Sequence, residues 1–150
     1  MVAPIFKFRN IKVRLSTSDP TFVYGLNEFN PTFPGTLEDE IEPSEISTVL
    51  LSVQISNLTG GTGFPTPAQT VSVSAFMQRS GTLTYNSANS RLLVLDYPLV
   101  SNNSFDPLGG NLVLSWDELN GGDQLWVQTN VANSCDVIVS LLEIANATAN

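Results

Sequence analysis

Residues 120–144, NGGDQLWVQTNVANSCDVIVSLLEI, decide the fold class. Gly121, Gly122 and Asp123 supply a turn, because glycine reaches positive φ without a Cβ clash and aspartate can bond its own backbone. Strict alternation follows: Leu125, Val127 and Thr129 share one parity, and Trp126, Gln128 and Asn130 the other. After the turn at 132–134, Cys135, Val137, Val139 and Leu141 share a parity, while Ile138 and Leu142 make the opposite face apolar as well. Two-sided apolarity marks a central strand, so the spacing predicts a closing hairpin whose second strand lies inside a sheet.

Upstream the same period of two recurs. Residues 48–57, TVLLSVQISN, put Val49, Leu51, Val53 and Ile55 on one face. The segment TVSVSAFMQR does the same with Val71, Val73, Ala75 and Met77, and predicts an antiparallel hairpin with the former across a long Gly/Pro/Thr loop. GGTG at 60–63 is no phosphate cradle, since no helix and no GK[ST] follow it. Leu83 to Tyr85 predicts a short strand, RLLVL at 91–95 a buried one, and residues 111–116 a further one.

At the N-terminal end, Phe6 and Phe8 are out of phase with Ile11, Val13 and Leu15, which predicts a β-bulge or a change of sheet near Asn10. Residues 21–29 predict a strand with Phe22, Tyr24 and Leu26 on one face. Residues 30–47 hold three prolines, with five acids at 38–45, and predict a surface loop with at most one helical turn ended by Pro43. Its acids lack the ligand spacing of an EF-hand, so a solvated loop is favoured over a calcium site. The count of about eight or nine strands between turn-rich loops predicts an all-β chain, an antiparallel β-sandwich of jelly-roll or related topology. The length predicts one domain over 1–150, with a basic N-terminal strand or arm over about 1–16.

Composition narrows the chemistry. There is no histidine, the commonest general base and neutral metal ligand. The single Cys135, on a strand, predicts a buried small hydrophobe rather than a nucleophile. No catalytic, cofactor-binding or metal residues are expected. The net charge of -8 repels nucleic acid and anionic membranes, and no apolar run is long enough to span a bilayer. MVAPIFKFRN lacks the pattern of a signal peptide, so Asn57-Leu-Thr, Asn102-Asn-Ser and Asn146-Ala-Thr read as chance sequons. Charge is split along the chain: Lys7, Arg9, Lys12 and Arg14 are four of the six cations, whereas the chain beyond them carries all 14 acids. These four are either the solvent face of an edge strand or, with Phe6 and Phe8, a docking surface for an acidic partner.

TVLLSVQISNLTG, the TVSVSAFM strand, PLGGNLVLSWDELNGGDQLWVQTN and DVIVSLLEI together resemble short accessory virion proteins of tailed bacteriophages, cyanophage-like in kind. The likeness covers roughly 48–144, with Gly122 and Asp123 at its turn and Leu125 and Val127 on its strand; the approach WDELNGG is longer than the pattern. It implies a non-enzymatic capsid decoration, neck or tail protein, made in symmetric copies and partnered by other virion proteins. The implied location is the virion, assembled in the host cytoplasm. Two other readings stand beside it. One is a carbohydrate-binding module that stacks sugars on Trp116, Trp126 or Tyr85; the other is an enzyme using Asp117, Glu118 and Asp123, disfavoured because paired glycosidase carboxylates sit across a cleft.

Overall fold

The computed structural model describes residues 5–26, 46–117 and 119–145. The acidic stretch 38–45 and its calcium question lie outside them, as do residues 27–29 of the strand expected at 21–29. Ten strands fall among the described residues: β1 (Ile5–Arg14), β2 (Thr21–Gly25), β3 (Ile46–Asn57), β4 (Val71–Ser80), β5 (Ser90–Leu99), β6 (Ser104–Phe105), β7 (Leu112–Leu114), β8 (Trp116–Asp117), β9 (Gly121–Thr129) and β10 (Cys135–Ala145). Sheet A runs β1-β10-β3, with β6 and β7 sharing the outer edge of β3; sheet B runs β2-β9-β4-β5, with β8 beside β9. All pairings are antiparallel. Setting aside the two-residue β6 and β8, consecutive strands alternate between the sheets except for the β4–β5 pair. This is a jelly roll, as the turn-separated alternation predicts.

The core lies between the sheets, where Leu50, Val53, Ile55, Val137, Val139 and Leu141 of sheet A meet Val71, Val73, Ala75, Leu125 and Val127 of sheet B. β10 lies between β1 and β3, the central place its two apolar faces call for.

Both expected hairpins are corrected to arches. β3 and β4 lie in opposite sheets, and so do β9 and β10. After Thr129 the chain turns across the sandwich: Asn130 donates its N–H to Ser72 (3.1 Å), and Asn133, with φ 55°, donates to Leu15 (2.9 Å). Alternation fixes which face of a strand is buried, and it reads the same whether the next strand is a neighbour or stands opposite.

Register shifts correct four further expectations. β1 pairs with β10 without a shift from Ile5↔Ala145 to Arg14↔Asp136, so it has no bulge at Asn10. The extra residue is Leu51 in β3, because Ser140↔Ser52 is followed by Leu141↔Leu50; Leu50 is thereby buried, and Val49 and Leu51 face away from the core. A shift at Val23 sends Phe22 to the outside of sheet B, against Trp126, and Tyr24 to the inside, where its hydroxyl meets Thr48 Oγ1 at 2.8 Å. β5 is an edge strand rather than a buried one, since two shifts against β4 leave Leu92 and Leu95 exposed. Leu83 to Tyr85 is a loop, and Tyr85 lies over Trp126 with ring centroids 5.5 Å apart.

Candidate interface on the outer face of sheet A

Even-numbered residues of β1 face away from the core, while Ile11 and Val13 pack against it. Phe6 and Phe8 therefore stand on the outer face of sheet A, 60% and 73% exposed. Phe8 lies opposite Leu142, Leu142 opposite Val49, and Val49 opposite Val113. One apolar row thus crosses β1, β10, β3 and β7, ending at Val113, which is 62% exposed. Phe6 and Ile144 begin a second row beside it. The sequence reading missed Val49, Val113, Leu142 and Ile144. For Leu142 and Ile144 the signal was the apolarity of both faces of β10, which needs a second cover; Val49 and Val113, on β3 and β7, follow only from the pairing.

The cations of β1 lean toward β10. Arg9 Nη1 meets Glu143 Oε1 at 2.7 Å, and Glu143 is only 1% exposed. Lys12 Nζ lies 3.3 Å from Asp136 Oδ2, while Arg14 bonds both oxygens of Asp136 and sits over the Phe64 ring at 4.9 Å. Burial pushes the Asp136 carboxyl up, but hydrogen bonds and charge from Arg14 and Lys12 outweigh it, and the group lies below its ordinary range. The Asp136 bond correspondingly raises Arg14. Lys7 is half-buried on the same face as Arg9. The six candidate residues are therefore brought together on one strand, with the rings outward and three of the four cations tied to β10.

Elsewhere the polar groups are engaged structurally. Arg79 holds Asp123 in a fork (2.9 and 3.0 Å), and Ser115 donates its N–H to the same carboxylate. Burial raises Asp123, and Arg79 with Ser115 brings it below the ordinary range. The side chains of Asp117 and Glu118 lie outside the described residues. Cys135 is buried, and burial pushes its thiol pKa up, as suits a core residue rather than a nucleophile. Trp126 is buried under Tyr85, and Trp116 packs against the core. Asn57 is buried with its amide bonded to the carbonyls of Gln69 and Leu99, so its sequon offers no free side chain. Among the described residues, no group of three acids or cysteines gathers as a metal site.

No protein-family model and no curated protein matches the chain. Among solved structures, a chain of the T13 viral particle of infectious bursal disease virus is similar at 9% identity over 93% of this chain and 31% of that one, with a TM-score of 0.46. A chain from the Gx strain of the same virus is similar at 10% identity over 98% and 33%, with a TM-score of 0.47. This chain spans about a third of the length of those chains.

Proposed function

We propose that the chain is a non-enzymatic structural component of a tailed-phage virion, acting as a capsid decoration, neck or tail accessory protein through symmetric protein–protein contacts. The observation that carries this reading is the apolar row Phe8, Leu142, Val49 and Val113, laid across four strands of a sheet face. Contiguous exposed apolar surface of this kind marks a contact site. Of the candidate residues Phe6, Lys7, Phe8, Arg9, Lys12 and Arg14, the four even-numbered ones form one margin of that contact, while Lys7 and Arg9 lie on the other face of β1. The phage resemblance over residues 48–144 supports the virion setting, and the chain's Ser, Thr and Asn content suits a protein that folds and makes contacts. Native mass spectrometry for copy number, with immuno-labelling of particles, tests the reading. Repeated copies at one place on the particle are expected; particles free of the chain overturn it.

A second reading, a carbohydrate-binding module for host-surface attachment, draws on a shallow polar basin on sheet B. There Ser72, Ser74, Asp96, Gln128 and Asn130 line a hollow of about 110 Å³, and Asp96 holds φ 49°. Carboxylate, amide and hydroxyl groups in one hollow suit sugar hydroxyls. Specific binding on a glycan array, abolished by Asp96→Ala, would favour it.

A further inference from the structure

Strand edges invite pairing, and proteins blunt them with bulges, proline, short strands or charge. In this molecule β5 carries two register shifts, a positive φ at Asp96 and Pro98. β6 and β7 have two and three residues, and β2 has five with a shift at Val23. β1 differs: it is ten residues long, keeps one register throughout, and among the described residues pairs only with β10. Its cations would normally guard the edge, but Arg9, Lys12 and Arg14 are drawn back to Glu143 and Asp136 of β10.

The direction of the open hydrogen bonds follows from the register. Leu15 donates its N–H to Cys135 at 3.0 Å. Alternate residues of an antiparallel strand turn their N–H and C=O to opposite neighbours. Odd-numbered residues of β1 therefore bond to β10, while Phe6, Phe8, Asn10, Lys12 and Arg14 turn theirs to the open edge.

These five residues form a self-complementary series, with two rings, then Asn10, then two cations. The geometry points to antiparallel pairing of β1 with β1 of a second copy about a two-fold axis at Asn10. Phe8 then stands opposite Lys12 of the partner copy and Phe6 opposite Arg14 of the partner copy, so a ring and no like charge stands opposite each of these cations, whose charged ends remain on Asp136. On the other face, Lys7 meets Val13 of the partner copy and Arg9 meets Ile11 of the partner copy. No like charges stand directly opposed. Moving the register one step one way sets Arg9 against Arg9 of the partner copy; one step the other way leaves Phe6 beyond the end of the ladder. The contact is isologous, as closed two-fold assembly requires. It deepens the structural role proposed above, resting on that reading for the premise that copies meet one another.

Cysteine cross-linking reads the register directly. Residues in a hydrogen-bonded antiparallel pair lie about 5.5 Å apart at Cα, within reach of a disulfide. Mild oxidation should convert Asn10→Cys to a covalent dimer and leave Lys12→Cys a monomer, while a mixture of Phe8→Cys and Lys12→Cys chains should give a heterodimer. The native Cys135 is buried and takes no part. Sedimentation should show Phe8→Lys, now facing Lys12 of the partner copy, associating at least tenfold more weakly than Phe8→Glu. Asn10→Pro removes an N–H aimed at the open edge, so it should abolish association with an unchanged β-type circular dichroism spectrum. A wild type monomeric at every concentration, equal weakening by Phe8→Lys and Phe8→Glu, or cross-linking of Lys12→Cys as strong as that of Asn10→Cys overturns the pairing. If labelled particles carry the monomeric Asn10→Pro chain, the virion role stands without this contact. If particles carry no chain but the Asn10→Cys dimer forms, the pairing stands and the role falls.

Discussion

Gln78 Nε2 donates to Gln124 Oε1 at 2.9 Å on the outer face of sheet B, and the same Oε1 accepts from Trp126 Nε1 at 3.0 Å. Each glutamine also holds the overlying loop: Gln78 bonds the carbonyl of Thr84 and the N–H of Asn86, and Gln124 bonds the carbonyl of Thr82. Tyr85 is thereby kept on the Trp126 ring. Gln124→Ala strands the Trp126 and Gln78 donors, at about 1 to 3 kcal/mol for each buried unsatisfied group. Chemical denaturation should show that loss, and Trp126 emission should shift to the red in the native state.

Gly122 has no room for a side chain, since a Cβ there would stand 1.4 Å from the carbonyl oxygen of Leu26. Gly122→Ala should cost about 3 kcal/mol or more by forcing backbone apart, above the usual range for overpacking. Gly110→Ala, where a Cβ meets nothing within 4 Å, is the matched control and should leave the thermal midpoint nearly unchanged.

Arg9→Gln removes the charge facing buried Glu143, and breaking a buried ion pair by removing one partner costs about 3 to 5 kcal/mol. A solvent-facing cation would have contributed only about 0 to 1 kcal/mol. Equilibrium unfolding in urea separates the two, and Arg9→Gln/Glu143→Gln should recover part of the loss.

Asp123 and Asp136 both have folded pKa values below the ordinary aspartate value. A lowered folded pKa means that the unfolded chain binds protons first. The stability from these groups is therefore fully present above the unfolded value of about 3.9 and is lost as pH falls below it through the folded values. Thermal midpoints across that window should fall steeply for wild type and less steeply for Asp136→Asn, which starts lower at neutral pH.

Ending the chain after Asn133 removes β10, and with it Val137, Val139 and Leu141, each fully buried. At about 1.5 to 3 kcal/mol per large apolar side chain, and with β1 and β3 parted, the loss approaches ordinary domain stability. The truncated chain should lose its β-type circular dichroism spectrum and sediment as aggregate.

The strands themselves were legible wherever alternation ran unbroken. Val71, Val73, Ala75 and Met77 face the core as their parity requires, and β10 is central because both its faces are apolar. Alternation specifies a face and no partner, which is why β9 and β10 read as a hairpin and stand in opposite sheets. A single extra residue inverts everything beyond it, and the unbroken alternation of β3 could not reveal that Leu51 is such a residue; the phase change in β1 needs none, because Phe6 and Phe8 stand on the outer face. The basic strand was legible as a run of charge. Its apolar continuation through Leu142, Val49 and Val113 was not, because an outer-face valine and a core valine differ only in what covers them.

The order of synthesis sets a constraint of its own. Among the described strands β10 is made last, yet it lies between β1, the first of them, and β3. On the ribosome β1 lacks β10, its sheet neighbour among the described residues, until residues 135–145 have emerged, so sheet A cannot close before then. Pairings this distant in sequence form slowly, because loop closure must precede any reward. The nascent chain meanwhile presents a ten-residue β-forming segment with two free edges and exposed Phe6 and Phe8, a template for aggregation. Slower elongation or chaperone capture before residue 135 should therefore govern the yield of soluble protein more strongly than the stability of the finished fold.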